Sequence, residues 1–375
     1  MSTYRVGLVG FGYIGKVHAF AHRNLPFFFG SLPFSTQVAR VCTGHPDSAR
    51  AAGDFLGVEG VTDFRAITEA PDIDVVHICT PNHLHREALL SAMAHGKHIY
   101  CDKPLTATLA EAEEIAKALP DYHGVAQMTF QTRFLPATQR ARQLIREGFL
   151  GRPLQFRCSF MHSGNIDQQA PRKWRFAAEA GGGVLADLGS HALDLLTDWL
   201  GPVRRVTALH QLAVAERRAP DGSGAMLPVD VEDASYALLE LANGACGTLE
   251  ATKLATGAED ELRLEVHGDR GAIRFNLMDP HHLDVYDATA PAAPQGGLRG
   301  WTRVDTGQRY DAPACFPAPK SAIGWLRAHV QCLYHFMACV DQGVPAEPGL
   351  EQGLAIQRVM AAIRDSAHDG QWRSL

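Results

Sequence analysis

The chain has 375 residues, 46% of them hydrophobic and 20% charged, with a formal net charge of −6. That length exceeds one ordinary core and predicts two domains, while the acidic balance argues against a nucleic-acid partner. No apolar run reaches the eighteen residues of a membrane span, and no basic leader precedes a cleavable apolar segment, so the expected location is cytoplasmic.

Residues 4–9 form a short apolar strand pattern. Gly10-Phe11-Gly12-Tyr13-Ile14-Gly15 follows at once, and residues 16–22 have helical character. A G-x-G-x-x-G match is weak alone and much stronger between a strand and a helix. Gly10, Gly12 and Gly15 then allow a tight turn, close approach of backbone N–H groups to a pyrophosphate, and close helix–strand packing. The helix N-terminus adds partial positive charge. The connection that follows holds Pro26, Phe27, Phe28, Phe29, Pro33 and Phe34 and reads as a proline-broken loop, buried under a neighbouring segment or forming a site wall or subunit contact.

The next strand, residues 37–42, ends in Thr43-Gly44-His45-Pro46. An NAD-specific site places an acid near this point to accept from the ribose hydroxyls. None stands here, and Asp47 lies beyond a proline. Arg40, His45 and Arg50 are close in sequence, and His45 or Arg50 is placed to meet a 2′-phosphate. The expectation is therefore NADP, or use of either cofactor.

Residues 74–80 form a buried strand ending in Pro81-Asn82-His83-Leu84-His85, followed by a helix to Gly96, a strand at 98–101, and Asp102-Lys103-Pro104-Leu105. Strand–helix alternation predicts a parallel doubly wound sheet, whose ligands sit beyond the strand carboxyl ends. Thr80, Asn82, His85, Asp102 and Lys103 fall at such ends. Proline restricts the backbone of Lys103, which can point a charge at a substrate oxygen.

Asp187 and His191 stand four apart after Gly181-Gly182-Gly183. On a helix this spacing shares one face, and an acid beside a histidine suits proton transfer near neutral pH. The eight cysteines contain no C-x-x-C pair and read as small buried hydrophobes in a reducing compartment, with no metal site expected. His281-His282 share no helical face.

These residues together resemble the Gfo/Idh/MocA family of nicotinamide-dependent oxidoreductases. The resemblance rests on G-F-G-Y-I-G at 10–15, T-P-N-H-L-H at 80–85, D-K-P at 102–104, W-R at 174–175 and G-G-G-V-L-A-D-L-G-S-H-A-L-D at 181–194. It continues through Asn243-Gly244-Ala245 and Gly349-Leu350-Glu351-Gln352-Gly353, nearly the whole chain. It implies a Rossmann domain over residues 1–130 and, over 131–375, a substrate-binding and oligomerisation domain with an open, mostly antiparallel sheet, the last helix packing back on the first domain. It implies catalytic roles for Lys103, Asp187 and His191. Phe11, Tyr13 and Ile14 belong to the cofactor turn, with Thr43 and His45 at the ribose, Thr80, Pro81, Asn82 and His85 lining the nicotinamide half, and Asp102 and Gln131 beside it. Trp174 and Arg175 join the substrate site. Asp102 replaces the usual glutamate, Gln131 the frequent asparagine, and Thr43 the acid of NAD-using members.

In the second half, strand patterns occur at 154–160, 203–212, 234–241, 247–254, 262–267 and 272–275. Residues 288–319 read as a long loop, and helices are expected at 326–342 and 350–369. The implied activity is reversible oxidation of a secondary alcohol of a sugar, inositol or related polyol, in a homodimer or homotetramer. Two other readings remain open: an NAD-dependent glycosidase that oxidises its sugar transiently, and a non-catalytic dinucleotide-binding regulator.

Overall fold

The computed structural model describes residues 1–375. The elements in chain order are β1 (Ser2–Val9), α1 (Tyr13–Phe29), β2 (Phe34–Cys42), α2 (Pro46–Leu56), β3 (Glu59–Val61), α3 (Arg65–Thr68), β4 (Val75–Ile78), α4 (His85–Ala94), β5 (His98–Cys101), α5 (Leu109–Ala118) and β6 (Ala126–Met128). Then come α6 (Pro136–Arg146), β7 (Pro153–Met161), α7 (Ser190–Leu200), β8 (Val203–Gln211), β9 (Glu216–Arg218), β10 (Met226–Pro228), β11 (Ala234–Leu241), β12 (Cys246–Thr252), β13 (Glu261–Gly268) and β14 (Gly271–Asn276). The chain closes with β15 (His282–Asp287), β16 (Trp301–Asp305), α8 (Trp325–Gln342), α9 (Leu350–Asp369) and β17 (Arg373–Ser374). Two compact units result: residues 1–134, 310–318 and 324–357, and residues 135–309, 319–323 and 358–375.

The first unit holds a six-stranded parallel sheet in the order β3-β2-β1-β4-β5-β6. All four residues of β4 are buried, as expected of a strand covered on both faces. Local chemistry sets the helix ends. Thr108 and Glu111 form a reciprocal capping box at α5. Pro46 opens α2, and Gly57 closes it in the left-handed region at φ 72°. The strand order reverses between β1 and β4, so the carboxyl ends of these strands flank the crevice where doubly wound sheets bind ligands.

The phenylalanine segment is not a loop. α1 continues through Pro26 to Phe29. Proline forfeits one helical hydrogen bond, but tertiary packing outweighs that local signal. Phe29 is buried and stacks on Tyr334 with ring centroids 4.0 Å apart, and the Arg327 guanidinium lies 4.7 Å from the Phe28 ring.

The second unit holds a nine-stranded sheet, β16-β15-β14-β13-β7-β12-β11-β8-β17, antiparallel except for the β7–β12 pair. All six strand patterns of the second half appear as β7, β8, β11, β12, β13 and β14. The long loop is interrupted by β16, which pairs with β15. It is an exposed edge strand, and its weak apolar alternation hides it in sequence. α7 packs on β7, β12 and β13 of this sheet, and its Leu193 and Leu196 are buried. On β11 the buried Ala237 and Leu239 alternate with the exposed Tyr236 and Leu238, and Leu209 of β8 pairs with Tyr236 on that outer face.

Candidate active site

In the first unit the chain leaves β1 at Gly10, whose φ of 100° suits glycine. A Cβ there would come within 2.6 Å of the Cys79 carbonyl oxygen, and one at Gly15 would run into the Gly10 carbonyl. These two glycines therefore permit close packing of strand, turn and helix. Gly12 differs: its Cβ would meet no protein atom within 4 Å. It caps α1 without a side-chain bond, leaving helix-end N–H groups open to an anion. Phe11 packs on Phe55, and the exposed Tyr13 lies 5.8 Å from the Trp325 ring. Ile14 is half-buried behind them. The turn fits the pyrophosphate of a dinucleotide by shape and by donor chemistry.

At the end of β2, Thr43 Oγ1 lies 2.6 Å from Ser48 Oγ. Asp47 turns to Arg50 at 2.5 Å, and His45 precedes α2 in extended conformation. Arg40 is engaged elsewhere, with Glu59 at 2.8 Å and the Ala66 carbonyl at 2.7 Å, so it does not join His45 and Arg50.

Beyond β4, Thr80 and Pro81 lead into a single helical turn, Asn82–Leu84, in which Asn82 is buried. Thr80 Oγ1 finds no partner within the protein. His85 is fully buried. Its Nε2 lies 2.9 Å from the Thr80 carbonyl and its Nδ1 3.0 Å from the Pro104 carbonyl. Burial pulls its pKa below the ordinary histidine value against the opposing field of Asp102. His85 thus ties the end of β4 to the Asp102-Lys103-Pro104 turn. Asp102 accepts from Thr129 Oγ1 at 2.7 Å. Lys103 is half-buried, and Gln131 is buried in the short helix after β6.

In the second unit Gly183, at φ 99°, opens a π-helical stretch, Leu185–Gly189, which runs into α7. Asp187 lies in the π turn and His191 in the first turn of α7, so their four-residue spacing spans a change of helix type. Wide turns of this kind concentrate at functional sites. His191 is buried, with Phe160 edge-on at 6.1 Å. Asp187 Oδ2 accepts from Lys253 and lies 3.5 Å from Arg175 Nε. Arg175 also stacks over Trp174 at 4.3 Å.

A cavity of about 280 Å³ opens here, lined among others by His162, Asn165, Arg175, Asp187, Glu232 and Lys253. Glu232 accepts from the Leu185 N–H at 2.9 Å, and a Cβ on Gly183 would overlap its carboxylate. That contact explains the third glycine of the triplet. Asn165 donates to Asp233 at 2.6 Å. Lys253 and Glu232 were missed in the sequence because both are far along the chain from Asp187. The only local cue is the position of Lys253 just beyond the carboxyl end of β12.

Residues 4–130 match the GFO_IDH_MocA model, described as an oxidoreductase family with an NAD-binding Rossmann fold, and residues 138–274 match the GFO/IDH/MocA C-terminal domain. A levoglucosan dehydrogenase of Pseudarthrobacter phenanthrenivorans is 33% identical over 99% of this chain and 98% of its own. The scyllo-inositol 2-dehydrogenase (NAD(+)) of Bacillus subtilis is 30% identical over 94% and 92%. A solved levoglucosan dehydrogenase in complex with NADH and levoglucosan superposes with a TM-score of 0.93 at 33% identity, over 100% of this chain and 99% of that one. Both halves of the chain therefore match one family along nearly their whole length: the chain is a member of the Gfo/Idh/MocA oxidoreductase family.

Proposed function

We propose that Lys103, Asp187 and His191 carry the reversible oxidation of a secondary alcohol of a sugar, inositol or related polyol, with an NAD(P) cofactor in the Gly10–Gly15 turn. The protein is an NAD(P)-dependent dehydrogenase acting on CH–OH groups. The nicotinamide, when bound, supplies the hydride chemistry, and the protein supplies position and proton transfer. His191 takes the hydroxyl proton, its ring held by burial against Phe160. Lys103 stabilises the charge developing on the substrate oxygen. Asp187 orients His191 and a substrate hydroxyl, while Lys253 and Arg175 fix the carboxylate at Oδ2. Trp174 and Arg175 hold the sugar. Thr80, Pro81, Asn82, Asp102 and Gln131 shape the nicotinamide side.

The observation that carries this reading is the pocket at Asp187, where the carboxylates of Asp187 and Glu232, the Lys253 ammonium, the Arg175 guanidinium, the Asn165 amide and the His162 imidazole line one small cavity. Such groups recognise hydroxyls. A panel of polyols and aldoses, followed at the reduced-nicotinamide absorbance, tests it; no turnover with any of them sinks it.

The lack of an acid at Thr43, and the nearness of His45 and Arg50, support use of NADP or of both cofactors. A strong kcat/KM preference for NAD overturns that part. The exposed Leu209, Tyr236 and Leu238 on one sheet face support a homodimer or homotetramer paired through that face; a Leu238→Lys variant of unchanged mass in light scattering refutes it. No helix is long and apolar enough to cross a membrane, and the eight cysteines are all free. The free thiols support a cytoplasmic location.

A further inference from the structure

One cluster of chemistry-bearing side chains has no role in the reaction above. α1 carries His18 and His22 on one face, four residues apart. β4 and the residue after it carry His77 and Cys79, two apart and so on one side of extended chain. The helix face meets the strand face. His18 Nδ1 lies 3.1 Å from His77 Nδ1 and 3.1 Å from Cys79 Sγ, and the three donor atoms fall within 4.8 Å of one another. His18 and His77 are at most 1% exposed, and Cys79 is 6% exposed.

Hydrogen bonding alone serves this cluster poorly. His18 Nδ1 faces two partners at the same distance, and a single proton at most lies on it. His18 Nε2 is buried with no partner, as are both ring nitrogens of His329, whose centroid is 6.5 Å from that of His18. Unpaired buried groups of this kind are costly, and aliphatic side chains would fill the same core without that cost.

A cation among the three donor atoms gives His18 Nδ1, His77 Nδ1 and Cys79 Sγ one common partner, while His18 Nε2 and the His329 nitrogens stay outside it. Two nitrogens bound to a tetrahedral zinc lie about 3.3 Å apart, and a nitrogen and a thiolate sulfur about 3.6 Å apart; the two spacings at His18 Nδ1 are 3.1 Å, and binding draws the whole set, now within 4.8 Å, together. The surrounding hydrogen bonds fit the same assignment. With Nδ1 of His77 as ligand, its Nε2–H donates to His22 Nε2 at 3.0 Å, and His22 Nδ1–H donates to Thr36 Oγ1 at 3.0 Å. Such outer partners fix the tautomer of a ligating histidine. Two imidazoles, one thiolate and no carboxylate exclude magnesium and calcium and favour soft or borderline cations.

We propose that His18 Nδ1, His77 Nδ1 and Cys79 Sγ form a buried site for one thiophilic d10 cation, Zn²⁺ or Cu⁺. Binding exchanges the thiol proton for the metal, and nothing is oxidised. The site lies beneath the glycine turn: a Cβ on Gly15 would be 3.7 Å from Cys79 Cβ, and Gly10 packs on the Cys79 carbonyl. The ion therefore clamps α1 to β4 under the cofactor turn and acts on stability.

The test uses full-length protein carrying Cys246→Ser and Cys315→Ser, which removes the two exposed thiols. It is made in zinc- or copper-supplemented cells, dialysed, and assayed for metal by atomic emission. Zinc supplementation and a Cu⁺ chelator competition separate the two ions. Cobalt substitution supplies an optical signature through the thiolate-to-cobalt charge-transfer band. The expected result is about one ion per chain, the cobalt band present, a raised melting temperature, and loss of band and ion in His18→Gln and Cys79→Ala. If those variants do not fold, the surface-thiol double variant decides alone. Absence of retained ion and of the band there, or a band that survives Cys79→Ala, overturns the site.

Discussion

Substitutions at Gly12 and Gly10 separate a cofactor cradle from an ordinary tight turn. Gly12 has φ −74°, and an added Cβ meets nothing within 4 Å. Gly12→Ala then has two small opposing effects on folding. It restricts the unfolded chain, worth about 0.4–1 kcal/mol, and it replaces an acceptable N-cap by a poor one at a cost of roughly 0.5–1 kcal/mol. The net change stays within about 1 kcal/mol, a few degrees of Tm at most. The same methyl occupies the path by which a pyrophosphate approaches the backbone. A loss of about 1.4–2.8 kcal/mol in cofactor binding is expected there, or 10- to 100-fold in Kd. Gly10→Ala behaves otherwise. Its φ of 100° is strained for alanine by about 1–2 kcal/mol, and its Cβ would sit 2.6 Å from the Cys79 oxygen and 2.9 Å from the Thr80 nitrogen. Overpacking against backbone adds about 1–3 kcal/mol, so Gly10→Ala should cost roughly 2–5 kcal/mol of stability. Thermal melts and fluorescence titrations with NADH and NADPH read both quantities. A Gly12→Ala protein that binds both cofactors like the parent refutes the cradle; one that melts as low as Gly10→Ala shows that Gly12 is structural.

Other consequences follow from the same geometry. His191→Ala should lower kcat by about 10²–10⁴-fold, the usual reach of general acid–base catalysis; single-turnover kinetics at the parent's rate would remove His191 from the mechanism. Lys253→Met removes one of two cations at Asp187 Oδ2 and should reduce kcat/KM by about 10- to 100-fold, or 1.4–2.8 kcal/mol, with cofactor affinity unchanged. Equal losses in cofactor Kd would point to general damage. His329 is fully buried against Trp325, and burial pushes its pKa down to about 3. The unfolded chain binds the proton first, near pH 6.5, so stability is full above that value and falls as pH drops toward 3. The cost at pH 5 is about 2 kcal/mol. Urea melts at pH 8 and pH 5 should show it, and His329→Phe should shrink the difference by that amount; an unchanged difference refutes the assignment.

The first unit was legible because its signals are local. A glycine turn between a strand and a helix, and short buried runs alternating with helices, are properties of adjacent residues. The phenylalanine segment misled because Pro26 is a strong local breaker, while the rings that hold the helix, Tyr334 among them, lie three hundred residues away. β16 escaped because an exposed edge strand needs little apolar alternation. In the second unit Asp187 and His191 stood out by spacing, but the π turn between them depends on packing from elsewhere, including the Glu232 carboxylate at Gly183 and Leu185. Lys253, 66 residues beyond Asp187, had no local pattern to reveal it. The histidine–cysteine cluster shows the same limit. His18-x-x-x-His22 and His77-x-Cys79 are each unremarkable, and only the helix-on-strand packing joins them.

The Lys253 contact also changes what Asp187 is able to do. Read from spacing alone, Asp187 and His191 are a pair in which the histidine moves the proton and the acid orients it. In the folded chain two cations converge on Asp187 Oδ2. A carboxylate held this way is a good fixed acceptor of hydrogen bonds. This arrangement agrees with the proposed division of labour, in which His191 transfers the proton and Asp187 orients it. Asp187→Asn keeps the shape of the side chain while removing its charge. It should lower kcat/KM and leave the lower, base-dependent limb of the pH profile in place, because the proposed base, His191, is untouched. His191→Ala should abolish that limb. If instead the limb disappears in Asp187→Asn and survives in His191→Ala, Asp187 is the base and the charge balance at Oδ2 has been misjudged.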